Sequence, residues 1–263
     1  MKIFSLGSSS KGNSTYLETE EGAILIDAGF GVRKTEELLK IPGFSLSKIS
    51  AIFLTHEHSD HVAGLLSLTK KLNGVLVYGS SQTLSNVVAS GRVSSFSKFV
   101  EIGFNSVVKV ASFEVSAFNV QHDSESCFGF CVKYGNKKFS ICTDLGCITP
   151  NVLKNLKGSD FVLIESNFDV RMLKTSKYPL ALKKRIVSNR GHLSNYDAAK
   201  LIYWLICNGV RRFLLGHLSE KNNRPKLAFE TVVSALRKFN FKNNYDYFLD
   251  VAPARSEGAV FEV

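Results

Sequence analysis

No stretch of the chain approaches the roughly 18 consecutive apolar residues that a membrane-spanning helix needs. The opening Met1-Lys2-Ile3-Phe4-Ser5-Leu6-Gly7 turns polar too soon for a secretory leader. A soluble, cytoplasmic protein with no membrane partner is the expectation. Paired cysteines are missing too: Cys127, Cys131, Cys142, Cys147 and Cys207 contain no CxxC pair. Four of these five stand in apolar or strand-like surroundings, where a reduced thiol acts as a small hydrophobe, so buried thiols are expected in place of disulfides. No repeat and no low-complexity tract occurs. Histidine is scarce, with six in the whole chain.

Half of those histidines fall in one place. The stretch Phe53-Leu54-Thr55-His56-Glu57-His58-Ser59-Asp60-His61 packs three histidines and two acids into six residues directly after an apolar run. Neutral imidazole and carboxylate suit a borderline divalent ion such as zinc, and so many ligands at the mouth of a strand could serve two ions. The plain alternative is an accidental cluster on a solvated loop. With 263 residues and 44% hydrophobic content the chain can build a sizeable core, and a single domain over 1–263 is expected. A formal charge of +10 points to a polyanionic partner, since lysines and arginines that neutralise phosphates release counterions. Lys183, Lys184, Arg185 and Arg190, with Lys221, Arg224 and Lys226, supply part of that charge.

Residues 2–6, 15–19 and 23–27 read as short strands, and the Gly/Ser-rich segment 7–13 between the first two reads as a loop. That loop could offer backbone N–H groups to a phosphate or be an ordinary turn. Residues 33–40 look helical, 49–55 form the strand that delivers the histidines, and 81–89 is helical within a strand-rich region, 75–141, where a second sheet is expected. Ser194 followed by Asp197 reads as a helix start, with apolar residues at 198, 201, 202, 205 and 206 forming a buried face until Gly209. Tyr203 and Trp204 on that helix read as packing residues.

His56-x-His58-x-Asp60-His61 after an apolar strand resembles the signature of the metallo-β-lactamase superfamily. The resemblance implies an α/β (α+β) fold, a four-layer αββα sandwich with metals between the sheets. It also implies later ligands in a set order. His122, after a strand and before Cys127-Phe128-Gly129-Phe130-Cys131-Val132, takes the place of the third histidine ligand. Asp144, in Thr143-Asp144-Leu145-Gly146, takes the place of the acid that bridges both metals in phosphodiesterase and thioesterase branches, where true lactamases carry a cysteine. His217, closing Arg212-Phe213-Leu214-Leu215-Gly216, completes the set. Asp27-Ala28-Gly29 is comparable to an Asp-x-Gly that supports the metal loop, or is simply a strand-end turn.

The segment Gly191-His192-Leu193-Ser194-Asn195, with Tyr178-Pro179 and Leu182-Lys183-x-Arg185-Ile186 upstream, resembles the bacterial YycJ/WalJ branch, described as 5′→3′ exonucleases on double-stranded DNA. One departure is Phe168, where that branch would lead us to expect histidine. The 22 residues from His122 to Asp144 leave no room for a tRNA-holding arm, and the 73 from Asp144 to His217 none for a large inserted nuclease domain. The resemblance also implies two divalent metal ions, zinc or manganese, one held by His56, His58 and His122, the other by Asp60, His61 and His217, with Asp144 shared. Asp60, His192 and Glu165 are the expected catalytic residues, His192 as general acid and Glu165 as its partner. Duplex DNA is the expected substrate. Alternatives are a hydrolase of small thioesters or cyclic phosphodiesters, an RNA-processing nuclease, and a metal-binding protein without turnover.

Overall fold

The computed structural model describes residues 1–94, 97–256 and 258–263. The chain opens with strands β1 (Lys2–Ser9) and β2 (Gly12–Glu18), paired antiparallel, and β2 pairs antiparallel with β3 (Ala23–Ile26). From β3 the sheet runs parallel through β4 (Ile49–Phe53), β5 (Leu76–Gly79) and β6 (Lys98–Glu101). Parallel neighbours need long crossovers. These carry α1 (Val32–Lys40), then α2 (Ser59–Val62) with α3 (Leu65–Lys71), then α4 (Ser81–Ala89).

The second sheet begins only at β7 (Val107–Val110), later than the expected 75–141, because β5 and β6 follow helical crossovers and extend the first sheet. It continues as an antiparallel meander through β8 (Phe113–Val120), β9 (Cys127–Tyr134) and β10 (Lys137–Cys142). It then runs parallel through β11 (Phe161–Glu165), β12 (Arg212–Gly216) and β13 (Phe248–Val251). The connecting helices are α5 (Pro150–Leu156), α6 (Val170–Thr175), α7 (Leu180–Ile186), α8 (Asn195–Cys207) and α9 (Pro225–Arg237). A short last strand, β14 (Phe261–Glu262), returns to pair with β1, so among the described residues each sheet has seven strands.

Strands buried on both faces lose the apolar/polar alternation of a half-exposed sheet, and β2, β3 and β11 are buried throughout. Phe53, Phe128, Phe130, Phe139, Phe161 and Leu214 meet between the sheets. The Phe53 ring stacks on Tyr78 at 4.6 Å and meets Phe130 edge-on at 5.7 Å. Each such side chain contributes about 1.5–3 kcal/mol by burial. α1, α3 and α4 cover the outer face of the first sheet through Leu38, Leu39, Leu68 and Val87. α5, α8 and α9 cover the second through Leu156, Ile202, Leu205 and Val232. The layers are helix, sheet, sheet, helix.

α8 starts where the sequence places it: Ser194 Oγ accepts from Asp197 N at 3.1 Å, and Gly209 follows the helix at φ 91°. Tyr203 packs on Phe239 at 4.4 Å. All five cysteines are free thiols; Cys127, Cys131 and Cys142 are buried, but Cys147 is half-buried and Cys207 exposed, so three and not four act as core hydrophobes. Among the described residues no helix is long and apolar enough to cross a membrane.

The Gly/Ser segment is not a loop. Ser8 pairs with Asn13 and Ser9 with Gly12, leaving only Ser10 and Lys11 as a turn. The glycines serve close packing: a Cβ on Gly7 or Gly12 would strike the Phe30 ring. The segment, which could have been a phosphate-binding loop or an ordinary turn, is thus a strand hairpin whose backbone outside Ser10 and Lys11 is committed to the ladder.

Candidate metal centre

The carboxyl ends of β3, β4, β10, β11 and β12 converge on one edge of the sandwich, and the residues just beyond them build a cluster. β4 delivers His56, and the turn into α2 places His58, Asp60 and His61. β8 delivers His122, β10 Asp144, β11 Glu165 and β12 His217. Three strand-end residues, Asp27, Asp144 and His217, have left-handed backbones at φ 60°, 54° and 54°. Asp and His tolerate that region better than most residues.

Ligand atoms of His56, His58 and His122 lie within 4.8 Å of one another, as do those of Asp60, His61 and His217. Asp144 stands between the two groups, its Oδ2 3.1 Å from His61 Nε2 and its Oδ1 3.4 Å from His122 Nε2. The cluster thus brings together all seven residues expected as ligands.

The histidines are oriented by their other ring nitrogen. His61 Nδ1 lies 2.7 Å from Asp27 Oδ2, His217 Nδ1 2.8 Å from Glu165 Oε1, His122 Nδ1 3.1 Å from the Gly191 carbonyl, and His56 Nδ1 3.0 Å from Thr55 Oγ1. Each arrangement leaves Nε2 facing the interior, the pattern by which partners behind a ligand fix its tautomer and aim. Asp27 also accepts from the Thr55 backbone N–H at 2.8 Å, so the strand-end turn holds the histidine loop. Gly29, two residues on, sits where a Cβ would strike the Asp60 carbonyl.

The donor set fits divalent ions on its own geometry. His56 Nε2 is buried with no hydrogen-bond partner among the described residues, although a buried polar atom ordinarily has one. Burial would raise the Asp144 carboxyl, but His217, His61 and His122 together hold it well below the usual carboxylate range. Asp60 is likewise lowered, burial being outweighed by His61 and His217. Burial would lower His61, yet Asp27, Asp144 and Asp60 hold it well above the ordinary imidazole value. His217 is raised to about 10 in the same way, with Asp144 the main cause opposing burial. His56 is pushed well below its ordinary value, by burial and then by His61. Buried carboxylates that stay ionised among imidazoles form a site that requires compensating positive charge.

His192, in the loop before α8, sits at this edge with Nδ1 2.8 Å from Glu165 Oε1 and 3.8 Å from Asp144 Oδ1. Glu165 is fully buried; burial would raise its carboxyl, but His192 and His217 draw it down to about 2. Phe168 contributes no chemistry: its side chain is buried, and its carbonyl accepts from Asn195 N at 2.9 Å, fixing the start of α8. The basic residues divide. Lys183 donates to the Lys174 and Ser176 carbonyls at 2.8 and 2.7 Å, and Arg190 to the His122 and Ser124 carbonyls at 2.9 and 3.1 Å, so both brace the backbone. Lys226 lies 3.9 Å from Glu230, whereas Lys184, Lys221 and Arg224 have no ion-pair partner among the described residues.

Several contributors carry no metal-ligand signature and escape a reading by residue type. Asn13 Nδ2 donates to Asp60 Oδ2 at 3.1 Å, Asn167 Nδ2 to the His217 carbonyl at 2.7 Å, and the His217 N–H to Ser8 Oγ at 2.8 Å. Asp123 Oδ1 lies 2.9 Å from His122 Nε2, and its other oxygen 2.8 Å from Arg185 Nε. Its position next to His122 was the one available cue.

A two-sheet sandwich with this histidine and aspartate edge defines a class, and the comparisons agree: the Beta-lactamase superfamily domain matches residues 23–218, and the chain belongs to that superfamily. The fold family implies divalent metal ions. Among curated relatives, the chain is 34% identical over 237 residues to the Exodeoxyribonuclease YycJ of Bacillus anthracis, covering 90% of this chain and 89% of that one. It is 34% identical over 246 residues to the Exodeoxyribonuclease WalJ of Streptococcus pneumoniae serotype 2, covering 92% and 90%. The solved metallo-beta-lactamase fold protein YhfI from Bacillus subtilis superposes with a TM-score of 0.75 over 99% of both chains at 14% identity, a likeness of fold.

Proposed function

We propose that the chain, one folding unit over 1–263, is a cytoplasmic dinuclear metal-dependent nuclease that hydrolyses phosphodiester bonds, acting as a 5′→3′ exonuclease on duplex DNA. The observation that carries this reading is the adjacency of two ligand groups, joined at Asp144, to His192, whose Nδ1 is turned to the Glu165 carboxylate. The extended similarity to chains named exodeoxyribonuclease supports it.

His56, His58 and His122 would hold one ion, Asp60, His61 and His217 the other, with Asp144 shared. Two such ions, zinc or manganese, supply Lewis acidity at phosphoryl oxygens and a lowered pKa for water. Glu165 Oε1, 2.8 Å from His192 Nδ1, accepts its N–H, leaving Nε2 to donate to the departing nucleotide oxygen. The imidazole then recovers a proton from solvent, since its side chain is 17% exposed. Asp60, aimed by Asn13, lies beside His61 and His217, where it serves as both ligand and charge balance.

Metal analysis of the purified protein, joined to digestion of end-labelled duplex DNA, single-stranded DNA and RNA, tests the proposal. Metal-dependent release of mononucleotides from the duplex is expected. A metal-loaded protein that releases none would overturn it. The cavity at the site is about 240 Å³, which also admits a small phosphodiester or thioester. Weak, salt-insensitive DNA binding with turnover of such a compound is the outcome that would favour that second reading.

A further inference from the structure

One wall of the metal-site cavity is a helix that adds nothing to the core. α7 buries no side chain, and Leu180 and Val187, at its start and just past its end, are 68% and 59% exposed. Polar contacts hold it instead: Lys183 on the Lys174 and Ser176 carbonyls, the His192 N–H on the Ile186 carbonyl at 2.9 Å, and Arg185 on Asp123. Its inner edge, Leu182, Arg185 and Ile186, and the preceding Tyr178 line the same cavity as His58 and His192. The Lys221 Nζ sits 5.7 Å from the centre of the Tyr178 ring. A flat ring and a guanidinium thus line the cavity together with the ion-binding edge, and the Lys221 ammonium lies beside the ring.

We propose that Tyr178 and Arg185 seat the terminal nucleotide of the strand being cut, its base against the Tyr178 ring and the phosphate next to the scissile bond on Arg185, with Lys221 beside them. The proposal rests on the nuclease reading above. The cavity, about 240 Å³ and open to solvent on one side, is small beside the roughly 300–1,000 Å³ of ordinary small-ligand pockets, so it takes the end of a single strand and not a duplex. The terminal base must therefore leave its stack, and an aromatic face replaces what it loses without reading which base it is. The charge is complementary, and the Arg185 guanidinium can exchange Asp123 for phosphate at little cost, because its side chain is 60% exposed and the pair is screened by solvent.

The test is a cycle between enzyme and substrate. Wild type, Tyr178→Phe and Tyr178→Ala are compared on oligonucleotides ending in a normal nucleotide or in an abasic tetrahydrofuran residue, with metal content and melting temperature followed for each protein. On the normal end Tyr178→Ala should raise KM by about 5–150-fold, the range that loss of one base–aromatic stack predicts, while Tyr178→Phe stays near wild type. On the abasic end the three proteins should be alike, since the ring has nothing to hold. An equal loss on both ends assigns Tyr178 a purely structural role and overturns the seat while leaving the nuclease reading intact. A wild type that releases no nucleotide from either end overturns the nuclease reading and the seat with it.

Discussion

One carboxylate oxygen, Oε1 of Glu165, lies 2.8 Å from Nδ1 of His192 and 2.8 Å from Nδ1 of His217. The same acid thus backs the expected proton donor and an expected ligand of the second ion. Its other oxygen accepts from the Leu145 and Leu193 N–H groups at 2.8 and 3.0 Å, which locks it in place. Glu165→Gln should lower metal retention or activity by about 10–100-fold, the usual cost of losing a partner behind a ligand. Metal stoichiometry and nucleotide release measured on one preparation check this, and unchanged values for both would remove Glu165 from the site.

His192→Ala separates the two roles of that carboxylate. It should keep both ions and DNA affinity yet lose turnover by about 10²–10⁴-fold, the range for a positioned acid. Much of the loss should return on a nitrophenyl phosphodiester, whose leaving group needs no proton. Loss of an ion, or digestion at the wild-type rate, would contradict the assignment.

Asp144→Asn keeps the shape of the side chain and removes the charge that faces both ligand groups. Metal content and nuclease activity should fall together, read by elemental analysis and digestion. Full activity with unchanged stoichiometry is the result that the shared-ligand assignment does not survive.

Much of this edge was legible because its chemistry sits in residue types that are rare in the chain and appear in a fixed order. The helix start at Ser194 was equally plain, its hydroxyl capping the N–H three residues on. What stayed hidden were ordinary polar residues. Ser8, Asn13 and Asn167 act only because strand pairing brings them beside ligands far away in sequence, and composition carries no trace of that. The hairpin at residues 7–13 differs from the expected loop for a related reason: its serines and glycines are those of a loop, and the Phe30 ring and the Ala254 carbonyl packed on it account for the glycines. The basic residues near α7 could be counted from sequence, but not the carbonyls that Lys183 and Arg190 bind.

Binding to duplex DNA should weaken steeply with salt. If Lys184, Lys221 and Arg224 meet phosphates, log K should fall against log salt with a slope of about −0.9 per phosphate neutralised. Titrations at several salt concentrations measure it, and charge reversal at Lys184 and Lys221 should flatten the slope. A slope near zero in the wild type would exclude a phosphate-contacting surface.

A pH effect arises away from the metal site. Tyr16 OH donates to Glu18 Oε2 at 2.5 Å, and Lys48 Nζ lies 2.6 Å from the other oxygen. Burial, then Glu18, holds the phenol well above its ordinary value. A group raised on folding stabilises fully below its unfolded pKa, about 10 here, and loses that contribution as pH rises beyond it. Tyr16→Phe should cost about 1.5–3 kcal/mol near neutrality, the range for a hydrogen bond to a charged group. The gap between wild type and variant in urea midpoints should shrink above pH ~10; a gap that widens there would show the sign to be wrong.

The left-handed backbones at Asp27, Asp144 and His217 put conformational strain at this edge of the sandwich. Each such residue costs on the order of 1–2 kcal/mol, which the layers behind must hold down. An ion that binds only the folded arrangement adds RT ln(1 + [L]/Kd) to its stability, so metal acts here as a clasp as well as a reagent. A chelator should therefore lower the temperature at which the ligand loops open before it lowers that of the two sheets, and the protein should stop working while most of it is still folded.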